Sequence, residues 1–206
     1  VQLCKKYSVW LFSDEIHGDV VLYGNQYTSA ACFADEYDKI IAYTAISKTF
    51  NMAGLESSCS IIPNPEYKKK QSDTLREAWL MSPNCLSNAA VEACYTYGDE
   101  WVDEQNIYLT ETADFIIRYL AEHAPEIKPV KPEGTYLMWL DCSALGMHSD
   151  EIQKCLAEHY GIAVGGGAAY GSGGENFLRF NFGCPRTLVE QGMETLAQFV
   201  ADHRTK

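Results

Sequence analysis

Two side chains that could serve one reaction come directly after short apolar runs. Asp14 follows the run at positions 8–13, and Lys48 follows the run at positions 39–44. Such runs are typical of buried strands in parallel sheets. Ligands of open α/β sheets bind at the carboxyl ends of the strands, so the carboxylate and the amine are expected in one crevice. There the amine could bond covalently to an aldehyde, and the carboxylate could keep a ring nitrogen protonated.

Pyridoxal 5′-phosphate suits this pair, because it carries both an aldehyde and a pyridine ring. Each residue alone is also open to a structural interpretation. An acidic residue after a strand is commonly a turn group or a helix cap, and a lysine in a loop is usually solvated. Arg179, within the apolar run 177–181, could be a surface ion-pair residue. The order of these residues and the sequence around them must decide.

The chain that positions these residues changes character near its middle. The first part combines three short strands with helices, and the part after Pro125 has an α+β order. In chain order, the predicted elements are helix 1–7, strands 8–13, 39–44 and 58–62, helical residues 65–97, helix 99–123, strand 135–140, helix 149–160, strands 162–164 and 177–181, and a final helix that begins with the capping-box pattern of Thr187 and Glu190.

Composition excludes several classes of protein. The 206 residues are 47% hydrophobic, which is enough for one large domain or two small ones. A formal charge of −12 argues against binding to nucleic acid. No apolar run reaches the roughly 18 residues that cross a bilayer, and the eight cysteines form no CxxC pair. We therefore expect a cytoplasmic protein without a metal site and without a membrane or nucleic-acid partner.

A glycine-rich segment at 165–174 contains Tyr170 and precedes the strand of Arg179. Its composition alone predicts a flexible loop. It does not match a nucleotide-binding fingerprint, because it leads into a strand and not into a helix.

Four segments together carry a resemblance to a known family: 13–19 (SDEIHGD), 46–55 (ISKTFNMAGL), 133–141 (EGTYLMWLD) and 177–186 (FLRFNFGCPR). The chain resembles the fold type I pyridoxal 5′-phosphate enzymes. Among them it is most similar to the MalY/PatB group of class I/II aminotransferase-like C–S lyases, often named cystathionine β-lyases. The resemblance runs from end to end.

The resemblance implies an α/β fold in which a mostly parallel sheet of the large cofactor-binding domain is followed by a small α+β domain. Residues 1–98 would be the second part of the large domain, 99–125 a bridging helix, and 126–206 the small C-terminal domain. The complete protein would be a homodimer.

The same resemblance implies residue roles. Lys48 would be the catalytic residue and would hold the cofactor through a Schiff base, while Asp14 would pair with its pyridine nitrogen. Arg179 would grip the α-carboxylate of a small amino-acid substrate in a bidentate fork. Tyr170 would lie near the substrate.

Two more cofactor-binding candidates follow from the resemblance. His17 stands where many relatives carry a tyrosine that contacts the ring hydroxyl, although a structural histidine is an alternative. Ser47 resembles the family's phosphate contact, although a turn hydroxyl is an alternative. Glu56 stands where aspartate-aminotransferase-like relatives carry a phosphate-binding arginine. The phosphate must therefore be held differently here.

The implied activity is β-elimination on a sulfur amino acid such as cystathionine or cysteine, which gives a thiol, pyruvate and ammonia. An aminotransferase would use the same residues and is an alternative. A non-catalytic binding or regulatory module on the same fold is a second alternative. Retention of Asp14, Lys48 and Arg179 together argues against that module, because packing requires none of them.

The sequence begins with Val1 and a helix that feeds directly into a strand. We therefore expect that a preceding strand is missing and that the chain is the C-terminal half of the enzyme. Relatives carry the backbone loop that cradles the phosphate and the ring that stacks on the cofactor in the other half. The fragment alone is expected to bind the cofactor weakly and to be inactive.

Overall fold

The computed structural model describes residues 1–80 and 84–204. The chain divides into two compact units, Val1–Gln105 and Asn106–Lys206. The division falls inside the long helix and not at either of its ends. Part of the predicted helical stretch 65–97, at 81–83, lies outside the described residues.

The first unit is built from short strands and several helices. Its elements are α1 (Gln2–Tyr7), β1 (Leu11–Asp14), β2 (Ile40–Thr44), α2 (Ile46–Thr49), β3 (Cys59–Ile61), α3 (Pro65–Glu77), α4 (Cys85–Tyr97) and the start of α5 (Asp99–His123).

A three-stranded sheet in the order β1-β2-β3 organises this unit. Strand β2 is central, and its first three residues are buried, as expected for a continuous apolar run covered on both faces. Strand β1 pairs with β2 in parallel, with Asp14 opposite Tyr43. Strand β3 pairs with β2 antiparallel, so this part of the sheet is mixed. The parallel pair brings the carboxyl ends of β1 and β2 to one edge.

The second unit is an antiparallel sheet packed with helices. After the end of α5 come β4 (Lys128–Pro129), β5 (Leu137–Asp141), α6 (Ser149–His159), β6 (Gly165–Gly166), β7 (Phe177–Asn181) and α7 (Arg186–His203). The strand order is β4-β5-β7-β6. Apolar side chains at helical spacing form the core with alternate residues of β5 and β7: Ile116, Leu120, Met138, Leu140, Ile152, Leu156, Leu178, Met193, Leu196 and Phe199.

In this unit two sequence predictions are wrong, and one strand was not predicted. The predicted strand 162–164 is absent, and the short strand lies instead at Gly165–Gly166, where it pairs with β7. Strand β4 was not predicted, because two residues become a strand only through pairing with β5. The capping box of Thr187 is wrong. The last helix has its N-cap two residues earlier, at Pro185, and no side chain caps it.

A buried carboxylate fixes the segment that follows β1. Glu15 is 6% exposed, and its Oε1 accepts a hydrogen bond of 2.8 Å from the backbone N–H of Ala30. Burial opposes ionisation of Glu15, but hydrogen bonds from Ser29, Ala30, Ser13 and Tyr27 outweigh it and lower the pKa of the carboxyl group. The charged side chain therefore ties the end of β1 to the short 3₁₀ helix Ala30–Phe33.

We predict that Glu15→Gln lowers the free energy of unfolding by about 1–3 kcal/mol at pH 7, the cost of disrupting hydrogen bonds to a buried group. Because folding lowers the pKa of Glu15, its contribution is complete above the unfolded value of about 4.3 and is lost as the pH falls through the folded value. Chemical denaturation at pH 7 and pH 3 measures this. Glu77→Gln, at an exposed position, is the matched control. An equal effect of both substitutions at pH 7 would contradict the prediction.

Candidate functional site

The edge where β1 and β2 end contains a cavity of about 240 Å³. The backbone N–H of Glu15 donates to the carbonyl oxygen of Tyr43 at 2.7 Å, which continues the parallel ladder past the last residue of β1. Asp14 is exposed at this edge. The cavity is lined by Asp14, Ile16, Tyr43, Thr44, Ala45 and Ser58.

Lys48 lies in α2, the single helical turn that follows β2. Its neighbours Ile46 and Thr49 are buried, whereas Lys48 itself is half-buried. Thr49 is held on both sides: its Oγ1 donates to Asp19 Oδ2 at 3.0 Å, and Trp101 Nε1 donates to its carbonyl oxygen at 3.0 Å. These contacts fix the backbone from which the Lys48 side chain extends.

A close approach of α4 supports the same segment. Gly98 follows the last residue of α4, and a Cβ at that position would overlap the ring of Phe50. Glycine therefore lets Phe50 pack against the end of the helix. Since Phe50 lies two residues after Lys48, this contact also limits where the lysine backbone can lie.

The two charged groups of the edge do not neutralise each other. Asp14 Oδ1 accepts a hydrogen bond from the backbone N–H of Ile16 at 3.2 Å. Within the described part of the first unit, neither Asp14 nor Lys48 forms an ion pair. Both therefore keep hydrogen-bonding capacity for a ligand that carries an acceptor for one and a donor for the other.

The pKa of His17 depends on both charged groups. Burial lowers the pKa of His17, the positive charge of Lys48 lowers it further, and the negative charge of Asp14 raises it. Both charged groups therefore act on the His17 imidazole. His17 favours the neutral imidazole there.

Ser47 and Glu56 differ in their suitability for binding an anion. The Ser47 hydroxyl is half-buried and has no hydrogen-bond partner among the described residues of its unit. Glu56 is exposed in a left-handed conformation (φ 49°) at the end of the 3₁₀ helix Ala53–Leu55. Its negative charge is unsuited to a phosphate.

Arg179 occupies the centre of β7 in the second unit, opposite Trp139 of β5. It is half-buried, and no carboxylate described in that unit pairs with its guanidinium. Its Cζ lies 4.7 Å from the centre of the Tyr170 ring. A planar cation in this state can accept a carboxylate in a bidentate fork.

The structure thus groups the predicted site residues in two sets. Asp14, His17, Ser47 and Lys48 lie at one sheet edge of the first unit, and Arg179 and Tyr170 lie together in the second. Sequence reasoning missed the groups that hold the first set in place. Glu15, Thr49 and Trp101 look like ordinary turn or helix residues until their partners are known.

Other types of site have no support in the described residues. No cluster of three or more potential metal ligands occurs among them. None of the helices in the described ranges is long and apolar enough to cross a membrane. The eight cysteines, all of them described, are unpaired.

Comparisons with known proteins agree with this geometry. The family model of aminotransferase class I and II matches residues 1–196. Cystathionine beta-lyase PatB of Bacillus subtilis (strain 168) is 36% identical over 196 residues, which cover 95% of this chain and 51% of PatB. Protein MalY of Escherichia coli (strain K12) is 34% identical over 195 residues, with 94% and 50% covered.

A solved structure gives the same result. The crystal structure of cystalysin from Treponema denticola, which contains a pyridoxal 5′-phosphate cofactor, matches with a TM-score of 0.92 and 30% identity. The match covers 98% of this chain and 51% of cystalysin. The chain spans about half the length of the curated relatives it matches.

We predict that the pKa of His17 reports the two neighbouring charges. Lys48→Met should raise this pKa, because it removes a positive charge, and Asp14→Asn should lower it, because it removes a negative one. NMR titration of the His17 ring between pH 4 and pH 8 measures both shifts. Lys39→Met is the control, since the Lys39 Nζ is bonded to Ser8 and does not affect His17. A lowered His17 pKa in Lys48→Met, or a raised one in Asp14→Asn, would contradict the prediction.

Proposed function

Because this chain belongs to the aminotransferase class I and II family, we propose that the protein containing it is a pyridoxal 5′-phosphate enzyme that cleaves a carbon–sulfur bond by β-elimination. The observation that carries the proposal is that the Lys48 amine and the Asp14 carboxylate follow two paired strands at one sheet edge, and neither forms an ion pair among the described residues. Both charges act on His17. The lyase activity comes from the similarity to cystathionine beta-lyase PatB.

The residues at this edge fit the cofactor. The Lys48 amine would hold its aldehyde covalently, and the Asp14 carboxylate would keep the ring nitrogen protonated. The Ser47 hydroxyl would donate to the phosphate, and neutral His17 would contact the ring hydroxyl. The cavity lined by Asp14 and Ala45 gives room beside the two charges. When bound, the cofactor supplies the electron sink that stabilises a carbanion at the substrate Cα.

Lys48 would act a second time as a base. Once the amino group of the substrate has displaced it from the aldehyde, the Lys48 Nζ is free to take the proton from Cα. The segment of Lys48 is anchored by Thr49 and Trp101, so the amine returns to one position while its flexible side chain moves.

Arg179 would bind the α-carboxylate of the substrate and fix its orientation. With a thiolate leaving group on Cβ, loss of the Cα proton is followed by departure of sulfur. Water then hydrolyses the released enamine, so the products would be a thiol, pyruvate and ammonia. Cystathionine or cysteine would be substrates of this kind.

Transamination is the second candidate, and the family description favours it. The same residues would serve: Lys48 would hold and move the proton, and the carbon–sulfur bond would stay intact. Product analysis separates the two reactions: a lyase forms pyruvate and a thiol from cystathionine without a keto-acid acceptor, whereas an aminotransferase requires an acceptor and releases no thiol. Consumption of cystathionine that depends on an added keto acid and releases no thiol would contradict the lyase.

We further propose that the complete protein is a cytoplasmic homodimer. The eight unpaired cysteines fit a reducing compartment. Sedimentation of the complete protein decides the oligomeric state, and full activity in a monomer would refute this proposal.

We predict that Lys48 carries the cofactor. Borohydride reduction of the protein with bound pyridoxal 5′-phosphate should leave a stable label on the peptide that contains Lys48. Mass spectrometry of the digested protein locates this label. Lys48→Met should abolish it, whereas Lys39→Met, at the residue just before β2, should keep it. A label on Lys39 or Lys68 in the unchanged protein would exclude the assignment.

We predict that Arg179→Lys raises KM for amino-acid substrates roughly tenfold or more, because a point-charge ammonium cannot replace a planar fork on a carboxylate. Cofactor absorbance should remain normal. Steady-state kinetics with cystathionine and a titration with the cofactor measure the two effects. Arg118→Lys, on α5, is the control. An unchanged KM would mean that another group holds the carboxylate.

A further inference from the structure

We propose that Tyr170 is a positioning residue that holds the Arg179 guanidinium flat, with its N–H edge turned toward an incoming carboxylate. The inference rests on the proposed function, because it assigns Arg179 to the substrate carboxylate. It differs from direct substrate binding by Tyr170: the tyrosine acts through the arginine.

The contact between the two side chains leaves the donors of the arginine available. The Cζ of Arg179 lies 4.7 Å from the ring centre of Tyr170. An aromatic face attracts the cation without using its N–H groups, which point outward in the guanidinium plane. A carboxylate partner would instead occupy the fork. The chain carries 28 acidic residues, yet none described in the second unit takes that place.

A second arginine of the unit shows what a purely structural pair looks like. The Cζ of Arg186 lies 4.9 Å from the centre of the Phe115 ring, and its Nη2 donates to the Oγ1 of Thr112 at 3.0 Å. Its guanidinium is therefore bonded within the protein through Nη2, while its buried Nε has no partner among the described residues. Arg179 has the aromatic contact but no hydrogen-bond acceptor among the described residues of its unit, which is the arrangement expected of an arginine that is available to bind a ligand.

The Tyr170 ring is itself held in place. It meets the ring of Trp139 edge-on, with centres 5.4 Å apart and planes at 88°. Trp139 also packs edge-on against Phe177 at 5.9 Å, and it lies opposite Arg179 in the pairing of β5 with β7. The sheet thus fixes both the arginine and the tryptophan that supports the tyrosine. Although Tyr170 is 49% exposed, its orientation is determined by strands.

Glycines make the approach of tyrosine and arginine possible. Gly165 of β6 pairs with Arg179, and a Cβ there would lie 3.1 Å from the Tyr170 hydroxyl oxygen and 3.4 Å from the Arg179 Cβ. Any side chain at 165 would therefore press on both residues. Farther along, Gly167 and Gly174 pack backbone against backbone, so that a Cβ on either would overlap the other. This contact folds the loop back over β7 and sets Tyr170 above Arg179.

Substitutions at 170 test the role in the complete protein. Tyr170→Leu removes the ring and should raise KM for cystathionine roughly two- to fivefold, the range of an exposed cation–π contact, while kcat changes less. Tyr170→Phe keeps the ring and should raise KM much less. Tyr97→Leu, at a tyrosine that is 82% exposed, is the matched control and should change neither constant.

NMR of the arginine side chains provides a readout that does not depend on turnover. The Nε–H proton of Arg179 should resonate upfield because it lies over an aromatic ring. The shift should persist in Tyr170→Phe and disappear in Tyr170→Leu. Assignment comes from loss of the signal in Arg179→Lys.

The outcomes separate the two hypotheses. If the unchanged protein turns over no amino acid, the proposed function fails, and the Arg179 signal still decides whether Tyr170 holds the arginine. If the protein is active but Tyr170→Phe raises KM as much as Tyr170→Leu does, the hydroxyl contacts the substrate and the positioning role is overturned. An unchanged KM in Tyr170→Leu, or an Nε–H shift that does not respond to this substitution, overturns it as well.

Discussion

The parallel pairing of β1 with β2 is the constraint on which the candidate site depends. Parallel strands deliver their carboxyl ends to one edge, and here each end leads directly to a charged residue, Asp14 or Lys48. The ladder extends one bond further through Glu15 and Tyr43. Opposite charges on neighbouring flexible loops would usually collapse into an ion pair. Because the backbone holds both segments, the amine and the carboxylate stay apart and remain available.

Much of the hydrogen bonding around the edge serves this separation. Burial of Glu15 and its bonds to the 3₁₀ helix Ala30–Phe33 fix the exit from β1. Thr49, bonded to Asp19 and Trp101, fixes the exit from β2. Each is a polar group inside the protein that is hydrogen-bonded, so it makes the local structure rigid without taking part in the reaction.

The sequence predicted best those features that one element decides by itself. The bounds of α5 and of β7 agree with the predicted 99–123 and 177–181, because their apolar periodicity is strong. Features that require a partner were missed. The strand at Gly165–Gly166 exists only through its pairing with β7, since glycine has no preference for strands.

The candidate residues show the same limit. Spacing and local motif singled out Asp14, Lys48 and Arg179, and the parallel register explains why the first two share an edge. The contact between Tyr170 and Arg179 could not be predicted, because it depends on loop closure and on a missing Cβ at position 165. The assigned roles of these residues stay predictions.

The glycine-rich run 165–174 contains glycines that are required for different physical reasons. Gly167 and Gly174 are small because each touches the backbone of the other, whereas a Cβ on Gly173 would meet no atom within 4 Å, so that position needs only a positive φ of 93°. A glycine that is required for close backbone contact cannot be replaced by another residue. A glycine that is required only for a left-handed backbone can be replaced by asparagine at modest cost. In natural variants, substitutions within the run should therefore differ between positions: we expect asparagine at 173 and never at 167 or 174. A segment that looks like low-complexity sequence is then a record of two separate selective pressures, one on space and one on backbone torsion.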